Sequence, residues 1–174
     1  MEGAALKKQL RKAFGFTPTR EQDTLLDLLA ECMLDLDPRR LFLLKGYAGT
    51  GKTTAVRSIV LSAPTVRRKT VLLAPTGRAA KVMSLYSGKS AQTIHRKIYI
   101  PRVTKNGGVF FERLENKHTN TIFIVDEASM ITGTGGIGEN SLLDDLVEYV
   151  YSGVNCKLLF IGDEAQLPPV HSDL

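Results

Sequence analysis

The stretch LFLLKGYAGTGKTT, residues 41–54, decides the fold. A short apolar run of strand type stops at Lys45, and a glycine-rich loop then leads into a helix that starts near Gly51. Gly46, Gly49 and Gly51 let the backbone curl so that successive N–H groups point at phosphate oxygens. The helix start adds the positive end of its dipole. Lys52 reaches the β- and γ-phosphates as a point charge, and the Thr53 hydroxyl takes a position on Mg²⁺.

Working outward, three more short apolar runs bounded by turn residues read as strands buried on both faces: TVLLA at 70–74, TIFIV at 121–125 and KLLFI at 157–161. Helical stretches separate them. Leu25, Leu28, Leu29, Cys32 and Leu36 recur at three- and four-residue spacing, which predicts an amphipathic helix over 18–36 with Thr17 as its cap and Pro18 at its first position. Residues 141–152 predict another, capped by Ser141 and closed by Gly153. This βαβ rhythm predicts an α/β domain with a mostly parallel sheet flanked by helices. One stretch breaks it. IYIPRVTKNGGVFFERL, residues 98–114, flanks Asn106-Gly107-Gly108 with β-rich sequence and predicts a small inserted hairpin, whose Tyr99, Phe110 and Phe111 could stack on bases but are expected rather to pack its apolar face.

The 174 residues fit one domain, at roughly 100 to 200 residues per domain. With 43% hydrophobic and 24% charged residues the chain can bury a core. No apolar run approaches the roughly 18 residues that span a bilayer, and the N-terminus has no apolar stretch of signal type, so a soluble cytoplasmic protein is expected. Cys32 and Cys156 lie far apart, without metal-ligand spacing, and read as buried thiols. The net charge of +5 conceals an asymmetry. Residues 1–38 hold 5 basic and 7 acidic side chains (net −2), residues 39–117 hold 17 and 2 (net +15), and residues 118–174 hold 1 and 9 (net −8). A segment so rich in cations points to a polyanion partner or, more blandly, to a solvated face.

Acidic and amide residues stand where a nucleotide would need them. Asp126 and Glu127 end the strand TIFIV, and residues just past the carboxyl ends of parallel strands face the ligand crevice. Asp126 can hold the Mg²⁺ water shell while Glu127 orients and deprotonates the attacking water. Gln166 has both a donor and an acceptor, which suits contact with a γ-phosphate or its water, or simply a polar loop. Gln22 can pair with adenine's donor-acceptor edge, or be an exposed helix residue. The segment after the second strand brings Thr76, the Gly77 amide and Arg78 to the same crevice edge, where a second polyanion could lie.

The blocks GYAGTGKTT (46–54), APTGRAAKVM (74–83), AQTIHR (91–96), FIVDEASM (123–130) and IGDEAQLPPV (161–170) resemble, in this order, motifs I, Ia, Ib, II and III of superfamily 1 DNA helicases, especially the RecD-like and Dda-like branch. The resemblance implies a RecA-like P-loop NTPase domain that binds ATP and Mg²⁺. It implies a nucleotide site of Gln22, Gly46, Ala48, Gly49, Thr50, Gly51, Lys52, Thr53 and Thr54, with Thr53 and Asp126 on the metal and with Lys52, Asp126, Glu127 and Gln166 as the catalytic set. It places Pro75, Thr76, Gly77, Arg78, Lys81, Thr93 and His95 along single-stranded DNA. It also implies 5′ to 3′ movement and a strand-separating role for the hairpin. Only four residues follow Val170, so the second RecA-like domain, with its arginine finger, is expected to be a partner outside these 174 residues. A P-loop kinase shares the phosphate loop but needs an acceptor pocket and a basic lid that are not evident. A GTPase is disfavoured, since Asn116-Lys117-His118-Thr119 lacks the aspartate that reads guanine. A nucleotide- or DNA-binding module without turnover is the remaining alternative.

Overall fold

The computed structural model describes residues 2–38, 40–46, 49, 51–131, 136–138 and 140–163. Helix α1 (Glu2–Phe14) precedes α2 (Arg20–Leu34). Strand β1 (Phe42–Lys45), helix α3 (Lys52–Ser62), a 3₁₀ turn (Ala63–Val66), strand β2 (Lys69–Ala74) and helix α4 (Gly77–Ser87) follow. Strand β3 (Ala91–Thr93) and helix α5 (Ile94–Ile98) lead into the hairpin β4 (Tyr99–Val103) and β5 (Val109–Arg113). The chain then returns through β6 (Thr121–Val125), a 3₁₀ turn (Ala128–Met130), α6 (Leu142–Tyr151) and β7 (Lys157–Gly162). The five-stranded sheet has the order β1-β7-β6-β2-β3, and all its pairings are parallel.

Strand alternation splits the core between the two faces of this sheet. Ile122 and Ile124 of β6 and Leu159 and Ile161 of β7 face α1, α2 and α3. Phe123, Val125, Leu158 and Phe160 face α5, α6 and the hairpin base. Every residue of β6 and β7 is buried, as expected for central strands covered on both sides. A charge is buried with them. Lys157, 1% exposed, is held by the Asp35 carboxylate at 3.3 Å and by the Asp37 carbonyl.

Several sequence expectations shift. Helix α2 starts two residues late because Thr19, not Thr17, caps it: Thr19 and Gln22 form a reciprocal capping box. Helix α6 is capped by Ser141 as expected, but Ser152 rather than Gly153 closes it. Gly153 answers a packing need, since a Cβ there would lie 2.4 Å from the Asn116 side chain. The hairpin turns through Gly107 at φ 78, where the missing side chain removes the strain. Of its aromatics only Tyr99 packs; Phe110 and Phe111 are exposed, because the two-stranded ribbon has no layer to cover them. Both cysteines are buried thiols, and burial pushes that of Cys32 up to about 12.

Candidate nucleotide and nucleic-acid site

The carboxyl ends of β1, β6 and β7 open onto a cleft of about 710 Å³. From β1 the chain turns through Gly49 (φ 83) and Gly51 (φ 92), left-handed positions that glycine fills without penalty. Gly51 is the N-cap of α3, so the amino end of that helix faces the cleft. Lys52 donates to the Gly46 carbonyl and pairs with the Asp163 carboxylate at the end of β7. Thr53, Thr54, Asp126, Glu127 and Gln22 line the same cleft. A Cβ on Gly51 would lie 3.4 Å from the Gln22 amide nitrogen, so α2 brings Gln22 against the phosphate loop. The Gln22 carbonyl oxygen accepts the Thr19 N–H, which leaves its NH₂ directed at the loop. Ala48, Thr50 and Gln166 lie outside the described residues.

Both oxygens of Asp126 are engaged. One accepts the Glu127 N–H at 2.8 Å, and the other accepts the hydroxyl of Tyr86 on α4. Burial, then the bond to Asp126, push the Tyr86 phenol well above its ordinary value, so it remains a donor. Glu127 has φ 52 and ψ 40, a left-handed conformation that costs a non-glycine residue about 1 to 3 kcal/mol and concentrates at functional sites. Sequence reasoning missed Tyr86, Asp163 and Phe16. Phe16 is an exposed ring at the cleft mouth, 4.6 Å from the ring of Phe14. The aromatic before the capping box is a signal that could have found it; nothing local marks Tyr86.

The residues expected along DNA gather at the same sheet edge. Ala74 and Thr93 are register partners of β2 and β3, so the segments that leave these strands sit side by side. Thr76 caps α4 by accepting the Ala79 N–H, and Thr93 caps α5 by accepting that of Arg96, each at 3.2 Å. A hydroxyl that accepts in this way keeps its own proton as a donor. Gly77, Arg78 and Lys81 are exposed on the first turns of α4, Pro75 is half-buried, and the His95 ring lies 5.5 Å from that of Tyr99. The hairpin is clamped at its base. Asp145 of α6, 2% exposed, accepts from Tyr99, Arg113, the Asn140 amide and the Ile137 N–H. Burial opposes its charge, but these four donors outweigh it and hold its carboxyl below the ordinary range.

Among the described residues no helix is long and apolar enough to cross a membrane. The uncharacterized protein MJ1519 of Methanocaldococcus jannaschii is 32% identical to the chain over 183 residues, an alignment that takes in 97% of the chain and 15% of that protein. A crystal structure of Bacteroides sp. Pif1 in complex with ADP-AlF4 superposes with a TM-score of 0.53 at 24% identity, over 91% of the chain and 35% of Pif1. The chain thus spans a small part of each relative. Residues 33–172 match the sequence profile of the AAA domain family. The chain belongs to this AAA domain family, and its fold is the RecA-like P-loop fold that the Pif1 structure shares.

Proposed function

We propose that the chain is the ATP-binding motor domain of an ATP-dependent DNA helicase that couples hydrolysis to movement along single-stranded DNA, 5′ to 3′, with a second RecA-like domain completing the site. The observation that carries this is the convergence of Gln22, Lys52, Thr53, Asp126 and Glu127 on one cleft, next to the edge that holds Thr76, Arg78 and Thr93. The neighbour's complex with ADP-AlF4 supports the nucleotide part. The donor set fits Mg²⁺: Thr53 and Asp126 offer oxygens on one cleft. When bound, Mg²⁺ neutralises charge that builds on the β- and γ-oxygens. Lys52, drawn from Asp163, binds the phosphates. The α3 amides orient them, and Glu127 takes a proton from water.

Lys52 is the only cation among the described residues that line the cleft. A further cation at the γ-phosphate is worth about 10³ to 10⁵ in rate, so the chain alone turns over slowly and its partner domain supplies the arginine. The test is calorimetric titration of Mg²⁺-ATP. Lys52→Ala removes charge-assisted bonds worth about 1.5 to 3 kcal/mol each and abolishes measurable binding. Equal affinity in wild type and variant would overturn the proposal.

A further inference from the structure

The cations of residues 39–117 do not share one surface. Arg78 and Lys81 lie at the carboxyl edge of the sheet, where the cleft opens. Arg67, Lys69, Lys89, Lys97 and Lys117 lie at the opposite edge, where β2, β3 and β6 begin, with the His118 imidazole beside them. Lys69 opens β2, and its N–H donates to the carbonyl of Asn120, just before β6. The Lys89 ammonium, just before β3, reaches the Thr70 hydroxyl at 2.9 Å. Arg67, Lys69 and Lys89 line one pocket of about 380 Å³. The Arg67 N–H is fixed on the Pro64 carbonyl, and Arg68 turns inward to the Asp35 and Asn155 carbonyls, which leaves its two neighbours facing out. Lys97 and Lys69 are close enough to His118 to hold its imidazole below the ordinary value, after burial itself.

Among the described residues none of the six forms an ion pair, whereas Lys7, Arg11, Arg40, Arg102, Arg113 and Lys157 all do. Burial lowers the Lys89 and Lys97 ammoniums, and no carboxylate acts against it. β6, β2 and β3 are neighbours in the sheet, so their starts spread cations over about 10 Å at a strand spacing of about 4.8 Å. That width matches about three successive rises of about 3.4 Å along one strand of a duplex. Among the described residues the exposed rings are Phe16 at the cleft, His95 at the carboxyl edge, and Phe110 and Phe111 on the hairpin, none of them among the six. Single-strand sites combine charge with stacking platforms. A row of charge without one suits a backbone whose bases stay paired.

We infer that the edge formed by Arg67, Lys69, Lys89, Lys97, Lys117 and His118 is a second nucleic-acid surface, one that grips the phosphodiester backbone of double-helical DNA. It rests on the proposed function but is separable from it. The test is fluorescence anisotropy of the full chain with a short labelled duplex and, separately, a labelled single strand, each over a salt series. In Arg67→Ala/Lys69→Ala/Lys117→Ala the duplex slope of log K against log salt flattens by about 2 to 3 units, at about 0.9 per phosphate, while single-strand and Mg²⁺-ATP binding persist. The charge-preserving Arg67→Lys/Lys69→Arg/Lys117→Arg keeps the wild-type slope. An unchanged duplex slope in the alanine variant would overturn the inference, as would equal loss of single-strand binding, or loss of an acidic peptide probe in place of DNA. Failure of the functional proposal has its own signature, ATP binding that survives Lys52→Ala.

Discussion

The hairpin base and the nucleotide cleft both bury charge, and they treat it in opposite ways. At the hairpin base Asp145 is closed in by four donors from three segments, one of them shared with Glu148 through Arg113. In the cleft Lys52 has a single carboxylate, Asp163, whose side chain is 41% exposed, and Asp126 has one hydroxyl and one neighbouring amide. A fully donated carboxylate is expensive to disturb. A thinly partnered one can change partners at little cost. The first arrangement sets the angle of the hairpin; the second suits a site whose contacts turn over with each ligand.

Breaking the contrast begins at Asp145. Asp145→Ala leaves Arg113, Tyr99 and Asn140 with lost partners and lowers unfolding free energy by about 3 to 5 kcal/mol in urea titration. Nucleotide affinity of the folded protein stays as in wild type. The sign with pH follows from the depressed native value. Asp145 contributes stability above its unfolded value near about 3.9, and that contribution is lost as pH falls through the lower native value. Asp145→Asn should therefore flatten the acid limb of stability against pH, and an unaltered limb would count against the clamp.

Tyr86→Phe removes one hydroxyl from the cleft and keeps the ring. Stability should change by about 1 kcal/mol. The Mg²⁺ concentration needed for half-maximal ATP binding should rise by up to about tenfold as the Asp126 carboxylate loses its orientation, a cost of about 1.4 kcal/mol. An unchanged Mg²⁺ midpoint would remove Tyr86 from the site. The smaller effects sharpen the picture. Arg78→Ala/Lys81→Ala should flatten the single-strand salt slope by roughly one unit, read by anisotropy. Asp163→Asn frees Lys52 for phosphate and should tighten Mg²⁺-ATP by a few-fold, the scale of an ion pair worth up to about 1 kcal/mol. Weaker binding in that variant would give Asp163 a role with the ligand itself.

What the sequence made legible were features with local grammar. LFLLKGYAGTGKTT placed β1, the loop and α3, TIFIV ran the full length of β6, and Asn106-Gly107-Gly108 marked the hairpin turn. β3 and α5 escaped, since three residues of AQT and five of IHRKI are too short to show a period. Helix α1 was missed although Leu6, Leu10 and Phe14 repeat at four-residue spacing. Tyr86 meets Asp126 from 40 residues away, and Tyr99 meets Asp145 from 46, so neither pair is visible to a reading along the chain. The same holds for charge. Residues 39–117 read as one basic block, yet the sheet sends its cations to opposite edges.

The bond between Tyr86 and Asp126 also makes the cleft observable by light. The chain has no tryptophan and five tyrosines, so no indole drains or masks phenol emission. A phenol that donates to a carboxylate emits weakly, and Tyr86 and Tyr99 are both of that kind. Among the described residues Tyr86 is the one tyrosine that lines the cleft; Tyr99 is sealed at the hairpin base and serves as an internal constant. A ligand that draws Asp126 away from Tyr86 therefore brightens this phenol, and the unlabelled protein carries its own optical gauge of whether the Asp126 carboxylate is engaged.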